Sequence, residues 1–529
     1  MRPLVAACAL VAIAGAARAY QGDQISHVDA ARVLVAGASG EQIIPVADGV
    51  NLQQAIDRAR PGDTIQLSPG ATYTGNFVLP NKSGTQFITI RTAPVDAHPR
   101  ESVRVSPSHA ASLAKIVSPN AQPAVRTAPG AHHWRLQLLE FLPNASAGGD
   151  IIALGDGGSA QKDRAQVPHQ LAIDRCYIHG HPDRGQKRGI ALNSGTTTIS
   201  NSYISDIKVK GQDSQAIAGW NGPGPYVIEN NYLEGAGENF LLGGADPAIH
   251  GLVTEDVTFR RNHLAKPLAW RDQGWQVKNL FELKNARRVL VEGNLMEYAW
   301  QHGQVGYAIL LTPRNQDGAA PWSVVENITI RRNVIRHAGG GMQIIGADTT
   351  HPSGSSRAIH VVDNLFYGIS SKLWGGTGAF LLVGEGPSEI IIEHNTVRQD
   401  GNIVMAYGGS KQDPMEIRGF QFRDNLVSHN EYGVHGADRA PGADTLQAFF
   451  PQVVFQNNGI AGGDAKGYPG NAFLDVQEFE RQFVNAAEGD FRLRPNSRFK
   501  GAASDRKDLG ADLAAIASAM GLRPGARIP

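Results

Sequence analysis

The sequence predicts an all-β chain, wound as a single-stranded parallel β-helix of about 10–13 coils. Three observations predict this class. A pattern centred on one polar residue, most often Asn, recurs ten times at spacings of 26 to 39 residues. Apolar residues stand three positions before and two positions after every centre. The segments around the centres alternate with a period of two between Gly, Asn and Pro, which is typical of short strands and not of helical repeats.

The repeat centres share a position at the bend between two apolar strands. They are Cys176, Ser202, Asn231, Asn262, Asn294, Asn333, Asn364, Asn395, Asn425 and Asn458. A buried Asn at such a bend can hydrogen-bond to the backbone and to the Asn of the next coil. A propeller blade needs about 40 residues and four strands. Each unit here offers two or three short strands, so we expect stacked coils with their Asn side chains in register.

A second apolar run precedes most of the Asn strands, and the loops between the two runs vary from roughly 10 to 20 residues. Loops of variable length on a regular stack usually build the binding surface. The stretch Phe281–Trp300 contains both runs. Glu282 and Lys284 lie two apart on its first strand, so both side chains are expected to point away from the core that Phe281 and Leu283 enter.

The sequences at the two ends of the predicted stack are typical of segments that cap the terminal coils. Residues 51–60 indicate a short helix with Asn51 as its N-cap, ended by Pro61-Gly62. Such a helix closes the exposed edges of a first coil. Residues 511–520 predict a short C-terminal helix. The expected divisions are a signal peptide at 1–19, an N-terminal lead-in at 20–48, the β-helix at 49–495 and a C-terminal cap and tail at 496–529.

The first residues have the composition of a cleaved secretory signal. Arg2 is followed by an apolar run over residues 4–16 and by Ala17-Arg18-Ala19, an A-x-A cleavage pattern. The run is too short to span a bilayer comfortably, so we expect a secreted or periplasmic protein. Cys8 leaves with this segment and Cys176 is then the only cysteine. An internal disulfide and a cysteine-based metal site are both excluded for the mature chain.

The charge balance points away from nucleic acid and from anionic membranes as partners. The full chain has 49 basic and 49 acidic residues, and removing the leader with its two arginines leaves 47 against 49. A net charge of about −2 provides no electrostatic footprint for a polyanion. We expect a monomer whose partner is a polysaccharide.

Several segments resemble the right-handed parallel β-helix superfamily, which includes pectate lyases, alginate lyases and chondroitinase B-type enzymes. The similarity spans about residues 45–500 and lies closest to secreted bacterial β-helix repeat proteins of undefined activity. The segments are Gly62-Asp-Thr-Ile65, Lys187-Arg-Gly-Ile-Ala-Leu-Asn-Ser194, Gly237-Glu-Asn-Phe240, Leu311-Thr-Pro-Arg-Asn-Gln-Asp-Gly318 and Gly489-Asp-Phe-Arg-Leu-Arg-Pro495. The resemblance implies a right-handed coil. The resemblance is specific for the fold but says little about the activity, because one fold hosts many functions.

The candidate chemistry is that of a uronate lyase. Such an enzyme removes the proton next to a carboxylate, which requires a cation to neutralise that carboxylate and a base above the proton. Lys284 is the candidate base and Arg314, about one coil later, the candidate cation; His302 is a further acid–base candidate. The pair Glu282-x-Lys284 is also similar to the calcium-ligand and lysine-base region of chondroitinase B and alginate lyases, although the two-carboxylate spacing ahead of that lysine is not found here.

Neighbouring coils add candidates for a groove. Polar residues at similar offsets around the second apolar run are Asp213, Gln215, Glu238, Asn239 and Asp246. Carboxylates in such a ladder can hold Ca²⁺, for which the candidate ligands are Glu282, Glu238 and Asp213. They can also flank a glycosidic bond, as in an inverting hydrolase. Aromatic and cationic candidates for contact with an acidic sugar are Trp220, Trp275, Trp300 and Arg271, together with Asn239.

These observations favour a polysaccharide lyase that acts on an acidic polymer by β-elimination. Two alternatives stay open at this stage. One is a non-catalytic carbohydrate-binding or cell-surface scaffold that uses the same groove. The other is an inverting glycoside hydrolase, which would yield reducing ends without an unsaturated product.

Overall fold

The computed structural model describes residues 42–523 and 525–529, so the expected signal peptide and most of the expected lead-in lie outside the described residues. The chain forms a right-handed parallel β-helix with three long sheets, A, B and C. Each coil contributes strands to A, B and C in that order, and the neighbouring strands within these sheets are parallel. Because sheet C has twelve strands, twelve described coils pass through all three sheets, which agrees with the predicted number.

Sheet A carries the strands that lead into the repeat centres. Its strands are Ile43–Val46, Thr64–Leu67, Ile88–Thr92, His132–Gln137, His169–Asp174, Gly195–Ser200, Gly224–Glu229, Thr254–Arg260, Ala286–Glu292, Val325–Arg331, Arg357–Val362, Ser388–Glu393, Gln421–Arg423 and Val454–Gln456. The first strand falls inside the expected lead-in, so the coil begins earlier than residue 49.

Sheet B follows each repeat centre. Its strands are Thr72–Thr74, Ala114–Val117, Leu139–Phe141, Tyr177–His179, Tyr203–Ile207, Tyr232–Gly235, His263–Ala265, Leu295–Ala299, Val334–Ala338, Leu365–Ile369, Thr396–Gln399, Leu426–Ser428, Gly459–Ala461 and Ala472–Leu474.

Sheet C contains the second apolar run of each repeat. Its strands are Phe77–Leu79, Val125–Thr127, Asp150–Leu154, Arg188–Leu192, Gln215–Gly219, Glu238–Leu242, Asn279–Leu283, Tyr307–Leu311, Gly340–Ile345, Leu381–Gly384, Val404–Tyr407 and Val434–Gly436. Its inward side chains, such as Phe240, Phe281 and Ile309, are fully buried in one continuous core.

The Asn residues at the repeat centres form the expected ladder at the bend between sheets A and B. The Oδ1 atom of Asn333 accepts hydrogen bonds from the backbone N–H and the Nδ2 atom of Asn294, at 2.9 and 2.8 Å. Asn333 donates in the same way to Asn364, and its Nδ2 atom also reaches the carbonyl of Val291. The pattern continues to Asn471, a further rung that the repeat analysis missed.

The residue before each repeat centre adopts a left-handed backbone conformation. These residues are Arg175, Asn201, Asn230, Arg261, Gly293, Arg332, Asp363, His394, Asp424 and Asn457. A left-handed residue makes the tight bend and directs the following side chain into the stack. At Gly293 the C-terminal helix comes close, since a Cβ atom there would lie 2.5 Å from the carbonyl of Ala519.

Helices are short and lie mostly at the ends and corners of the stack. The described α-helices are Leu52–Arg58, Ser371–Trp374, Ala443–Phe449, Val476–Glu480 and Leu513–Ala519. The described 3₁₀ helices are Pro107–Ser112, Arg164–Gln166, Leu268–Asp272 and Ala486–Glu488. None of the helices in the described ranges is long and apolar enough to cross a membrane.

Both predicted end helices are present. The first is capped by Asn51, whose side chain accepts a bond from the backbone N–H of Gln54, and it buries Leu52 and Ile56 against the core. The last packs Ile516 on the outer side of sheet B. Near the C-terminus, the strand Asp490–Leu493 pairs antiparallel with Phe483–Asn485 instead of extending the coil.

The ladder yields a prediction about stability. Replacing Asn333 by Ala removes the acceptor of two buried donors of Asn294, and each unsatisfied buried donor costs about 1–3 kcal/mol. We therefore expect Asn333→Ala to lower the thermal unfolding midpoint clearly, as measured by circular dichroism. Asn496→Ala, at an exposed position, is the matched control. Equal midpoints for the two variants would show that the ladder does not stabilise the coil.

Candidate functional site

The outer face of sheet C is the floor of a groove between loops. Residues Leu241, Glu282, Leu310, Gln343 and Leu382 lie in one register column on successive strands of this face. The loops that enter sheet C from sheet B in this region are 266–278, 300–306 and 370–380, and those that leave toward sheet A are 243–253, 312–324 and 346–356. The long loops therefore stand on both sides of the column.

One open cleft of about 330 Å³ lies on this floor and unites three of the predicted residues, Glu282, Lys284 and Arg314. Its volume is at the lower end of the range for small-molecule sites. The other lining residues are Gln304, Val305, Tyr307, Leu310, Thr312, Pro313, Gln343, Ile345, Ala347, Asp348, Thr349, Glu385 and Tyr407.

Glu282 anchors Lys284 at the cleft wall. The Glu282 side chain is only 1% exposed, and its Oε1 atom lies 3.3 Å from the Nζ atom of Lys284. Its carboxylate also accepts hydrogen bonds from Nδ2 of Asn279 at 2.9 Å and from the hydroxyl of Thr312 at 3.3 Å. Lys284 keeps 18% of its side chain exposed, so its amine is held at a fixed place while it remains open to the cleft.

Arg314 is held in the same manner from the next coil. Its Nη1 atom lies 2.8 Å from Oδ1 of Asp348, and 39% of the Arg314 side chain is exposed. Burial opposes ionisation of Asp348, but bonds from the backbone N–H groups of Thr350 and Asn315 and from Arg314 outweigh it and lower the pKa of Asp348. The guanidinium is thus held by a fixed carboxylate while part of its side chain remains exposed in the cleft.

A second charged cluster lies one coil earlier. Glu238 accepts a bond from Nε2 of Gln215 at 2.9 Å, and its Oε1 atom lies 3.6 Å from the Nζ atom of Lys278. Lys278 also donates to Asp213. Burial and the neighbouring Glu282 carboxylate raise the pKa of Glu238 above its ordinary value.

The three expected metal ligands do not fit a calcium ion. No group of three or more His, Cys, Asp and Glu side chains within residues 42–523 and 525–529 is placed to hold a metal. Asp213 is bonded to Lys278, Glu238 to Gln215, and Glu282 to Lys284. Calcium takes 6–8 oxygen ligands, whereas lysine ammonium groups already neutralise these carboxylates.

The predicted aromatic platforms Trp275 and Trp300 do not face the groove floor. They are 5% and 4% exposed and pack with Trp270 and Trp374 in one cluster of the loops between sheets B and C. Stacking on a sugar requires an open ring face, so these rings serve the packing of the loops. Arg271 lies on the cluster, with its guanidinium 5.9 Å from the ring centroid of Trp300.

Three other predicted residues lie away from the cleft. Asn239 is buried and donates to the carbonyls of Leu233 and Ala265, so it is part of the core instead of a substrate contact. His302 is exposed on its loop and accepts a bond from the backbone of Val277. Trp220 is half-buried and lies under the Arg188 guanidinium, at 5.0 Å from its ring centroid.

The structure adds cleft residues that sequence reasoning missed, above all Tyr407. Tyr407 is the last residue of the strand Val404–Tyr407 in sheet C. Its ring lies against Gly384, where a Cβ atom would approach to 2.4 Å, so glycine is required there for the ring to lie across the strand. Burial raises the pKa of Tyr407. The strand register could have located Tyr407. Gln343 pairs with Leu382 on the next strand of sheet C, and Gly384 of that strand pairs with Tyr407 on the strand after it.

The fold is shared with solved structures of carbohydrate-active proteins. A mannuronic acid specific polysaccharide family 6 lyase from human gut microbiota is similar with a TM-score of 0.54 at 13% identity, over 82% of this chain and 91% of that chain. The PL6 family alginate lyase AlyGC is similar with a TM-score of 0.55 at 14% identity, over 89% of this chain and 58% of that chain. This chain thus spans little more than half of AlyGC. No family model matches the chain, and no curated protein sequence is similar to it.

The burial of the tryptophan cluster yields a prediction. Trp300→Ala removes a buried ring, for which the usual cost is about 3–5 kcal/mol, and we expect a lower thermal unfolding midpoint. Leu268→Ala, on the same wall but 46% exposed, is the control and should leave the midpoint nearly unchanged. A Trp300→Ala protein of normal stability with lost glycan affinity would instead identify a sugar platform.

Proposed function

We propose that this protein is a polysaccharide lyase that cleaves an acidic, uronate-containing polymer by β-elimination in the cleft on sheet C. The observation that carries the proposal is that Lys284 and Arg314 line the same open cleft, each fixed by a carboxylate behind it. The two similar structures are described as a mannuronic acid specific lyase and an alginate lyase. Their descriptions make uronate polymers the first substrates to test.

The proposed reaction assigns one role to each cation. Arg314 binds the carboxylate of a uronate unit and withdraws charge from it, which makes the proton on the adjacent carbon more acidic. The Lys284 amine, after its ammonium has released a proton to the solvent, removes the proton from that carbon. The electron pair of the broken C–H bond forms a C=C bond, and the C–O bond to the leaving sugar breaks. The oxygen of the leaving sugar then takes up this proton from Lys284.

A lyase fits the cleft better than an inverting hydrolase. An inverting hydrolase needs two carboxyl groups in contact with the sugar and a water molecule. Three carboxylates line the cleft. Glu282 and Asp348 have side chains that are 1% and 0% exposed and are paired with Lys284 and Arg314, and Glu385 alone among the three is half-buried. The groups that reach the cleft instead include a lysine and an arginine, which are suited to an anionic substrate.

The location of this protein outside the cytoplasm is part of the same proposal. A polysaccharide substrate lies outside the cytoplasm, and the leader over residues 1–19 provides the route to it. Sequencing the N-terminus of the mature protein tests this part, since cleavage after Ala19 predicts Tyr20 as the first residue.

The experiment is a substrate screen with matched variants. We expect the purified chain to raise the ultraviolet absorbance of an unsaturated product on at least one of alginate, pectate and chondroitin, and on no neutral glycan. Lys284→Ala should lower kcat by about 10²–10⁴-fold, because a positioned base contributes that much. Arg314→Ala should also raise KM, because Arg314 binds the carboxylate of the substrate. Lys466→Ala, at an exposed position, should behave like the wild type.

Two results would contradict the proposal. Glycan affinity that persists in Lys284→Ala, without any absorbance change in the wild type, would identify a binding protein. New reducing ends without the absorbance change would identify a hydrolase.

A further inference from the structure

The cleft on sheet C contains one carboxylate that no cation neutralises. Three acids line this cleft, Glu282, Asp348 and Glu385. The first two are paired with Lys284 and Arg314. Glu385 is half-buried and forms no ion pair in the part of the chain that the structure describes. Its negative charge therefore acts on whatever occupies the cleft.

The strand register places Lys284 and Tyr407 at opposite ends of the cleft along the axis of the β-helix. Lys284 directly follows the first member of one row of register partners and Tyr407 directly follows the last. The row is Leu283, Leu311, Ile344, Val383 and Ala406. Its ends are separated by four steps between neighbouring strands, which is about 19 Å at the usual spacing. Glu385 directly follows Gly384, the register partner of Tyr407, so Glu385 lies on the Tyr407 side of the cleft.

Gln343, Glu385 and Tyr407 form one polar cluster, which we call the Tyr407 end. The ring of Tyr407 lies against Gly384, where a Cβ atom would come within 2.4 Å of it, so the side chain lies over the preceding coil. Burial and the charge of Glu385 raise the pKa of Tyr407, and a hydrogen bond with Gln343 opposes this rise. The hydroxyl of Tyr407 therefore stays protonated at neutral pH.

The Tyr407 end suits the hydroxyl groups of a sugar better than a sugar carboxylate. An ionised carboxylate only accepts hydrogen bonds, whereas the Gln343 amide and the Tyr407 hydroxyl can both donate and accept. A sugar hydroxyl can donate to Glu385, but the carboxylate of a uronate cannot, and the charge of Glu385 repels it. The cations among the described residues that line the cleft are Lys284 and Arg314, and neither is paired with Glu385.

We propose that the Tyr407 end is a subsite for an uncharged sugar unit, and that Glu385 is the residue that rejects a uronate there. The substrate class is then a mixed polymer of uronates and uncharged sugars. A uronate of this polymer lies at Lys284 and Arg314, and an uncharged unit further along the same chain lies at Glu385. The inference rests on the proposed lyase function, because that function places the uronate at Lys284.

The test compares polymers with and without uncharged units in matched variants of Glu385. Glu385→Gln removes the charge and keeps the size of the side chain. On alginate or pectate, which consist of uronates, this variant should lower KM about ten-fold, which is the size of one like-charge contact near a protein surface. On unsulfated chondroitin, in which uronates alternate with an uncharged sugar, KM should not fall. Glu385→Asp, which keeps the charge, and Glu389→Gln, at an exposed acid on sheet A, should both behave like the wild type.

Two further measurements separate charge from shape and binding from cleavage. The ten-fold difference on alginate or pectate should shrink at about 1 M salt, because the Debye length there is about 3 Å. The same order of affinities should be found by calorimetric titration when each variant is combined with Lys284→Ala, since this readout requires no cleavage.

The inference is overturned if Glu385→Gln leaves the affinity for alginate and pectate unchanged, or if it strengthens the binding of chondroitin to the same degree. Either result, with an unsaturated product formed by the wild type, would refute the subsite and leave the lyase proposal standing. The expected affinity changes without any absorbance change in the wild type would support the subsite and refute the lyase. A protein that binds none of these polymers would refute both.

Discussion

The asparagine ladder is the constraint on which the rest of this structure depends. From Asn262 to Asn458, each Oδ1 atom in the ladder accepts both a backbone and a side-chain bond from the Asn of the preceding coil, as Asn333 does from Asn294. These bonds satisfy buried polar groups at the bend between sheets A and B, and they fix how each coil lies on the next. A fixed register is what turns residues about thirty positions apart in sequence into neighbours in space. Glu282 and Lys284 on one coil and Arg314 on the next meet in one cleft for this reason.

Several charged groups around the groove are buried and hydrogen-bonded within the protein. Lys266 illustrates this, since its fully buried ammonium donates to the carbonyls of Ala236 and Gly237 and to Oδ1 of Asn239. Burial lowers the pKa of Lys266 and raises that of Glu238 beside it. Buried charges of this kind are costly unless every donor and acceptor is used. The acids of the groove therefore hold the lysines in place, and the cations of Lys284 and Arg314 are the charges that reach the cleft.

The sequence was sufficient for the fold and for part of the site. Period-two alternation and the Asn pattern predict the stacked coils, and the two-residue spacing of Glu282 and Lys284 predicts their shared outward face, because both follow from strand geometry. Asn471 escaped the pattern because it follows Asn458 after only 13 residues. The role of Trp300 was not accessible, since burial of a loop residue depends on loops of other coils. Asn239 lies on the strand Glu238–Leu242, and one of its acceptors, the carbonyl of Ala265, belongs to the next coil. Arg271, for example, donates to the carbonyl of Leu373, 102 residues away.

The most direct test is a crystal structure of the Lys284→Ala protein with an oligouronate bound. The account predicts that the coils stack with the asparagines in one line, and that a sugar carboxylate contacts Arg314 in the sheet C cleft with its adjacent C–H bond turned toward position 284. An oligosaccharide bound on sheet A or sheet B, or a cleft closed to the sugar in a protein that still degrades the polymer, would contradict it.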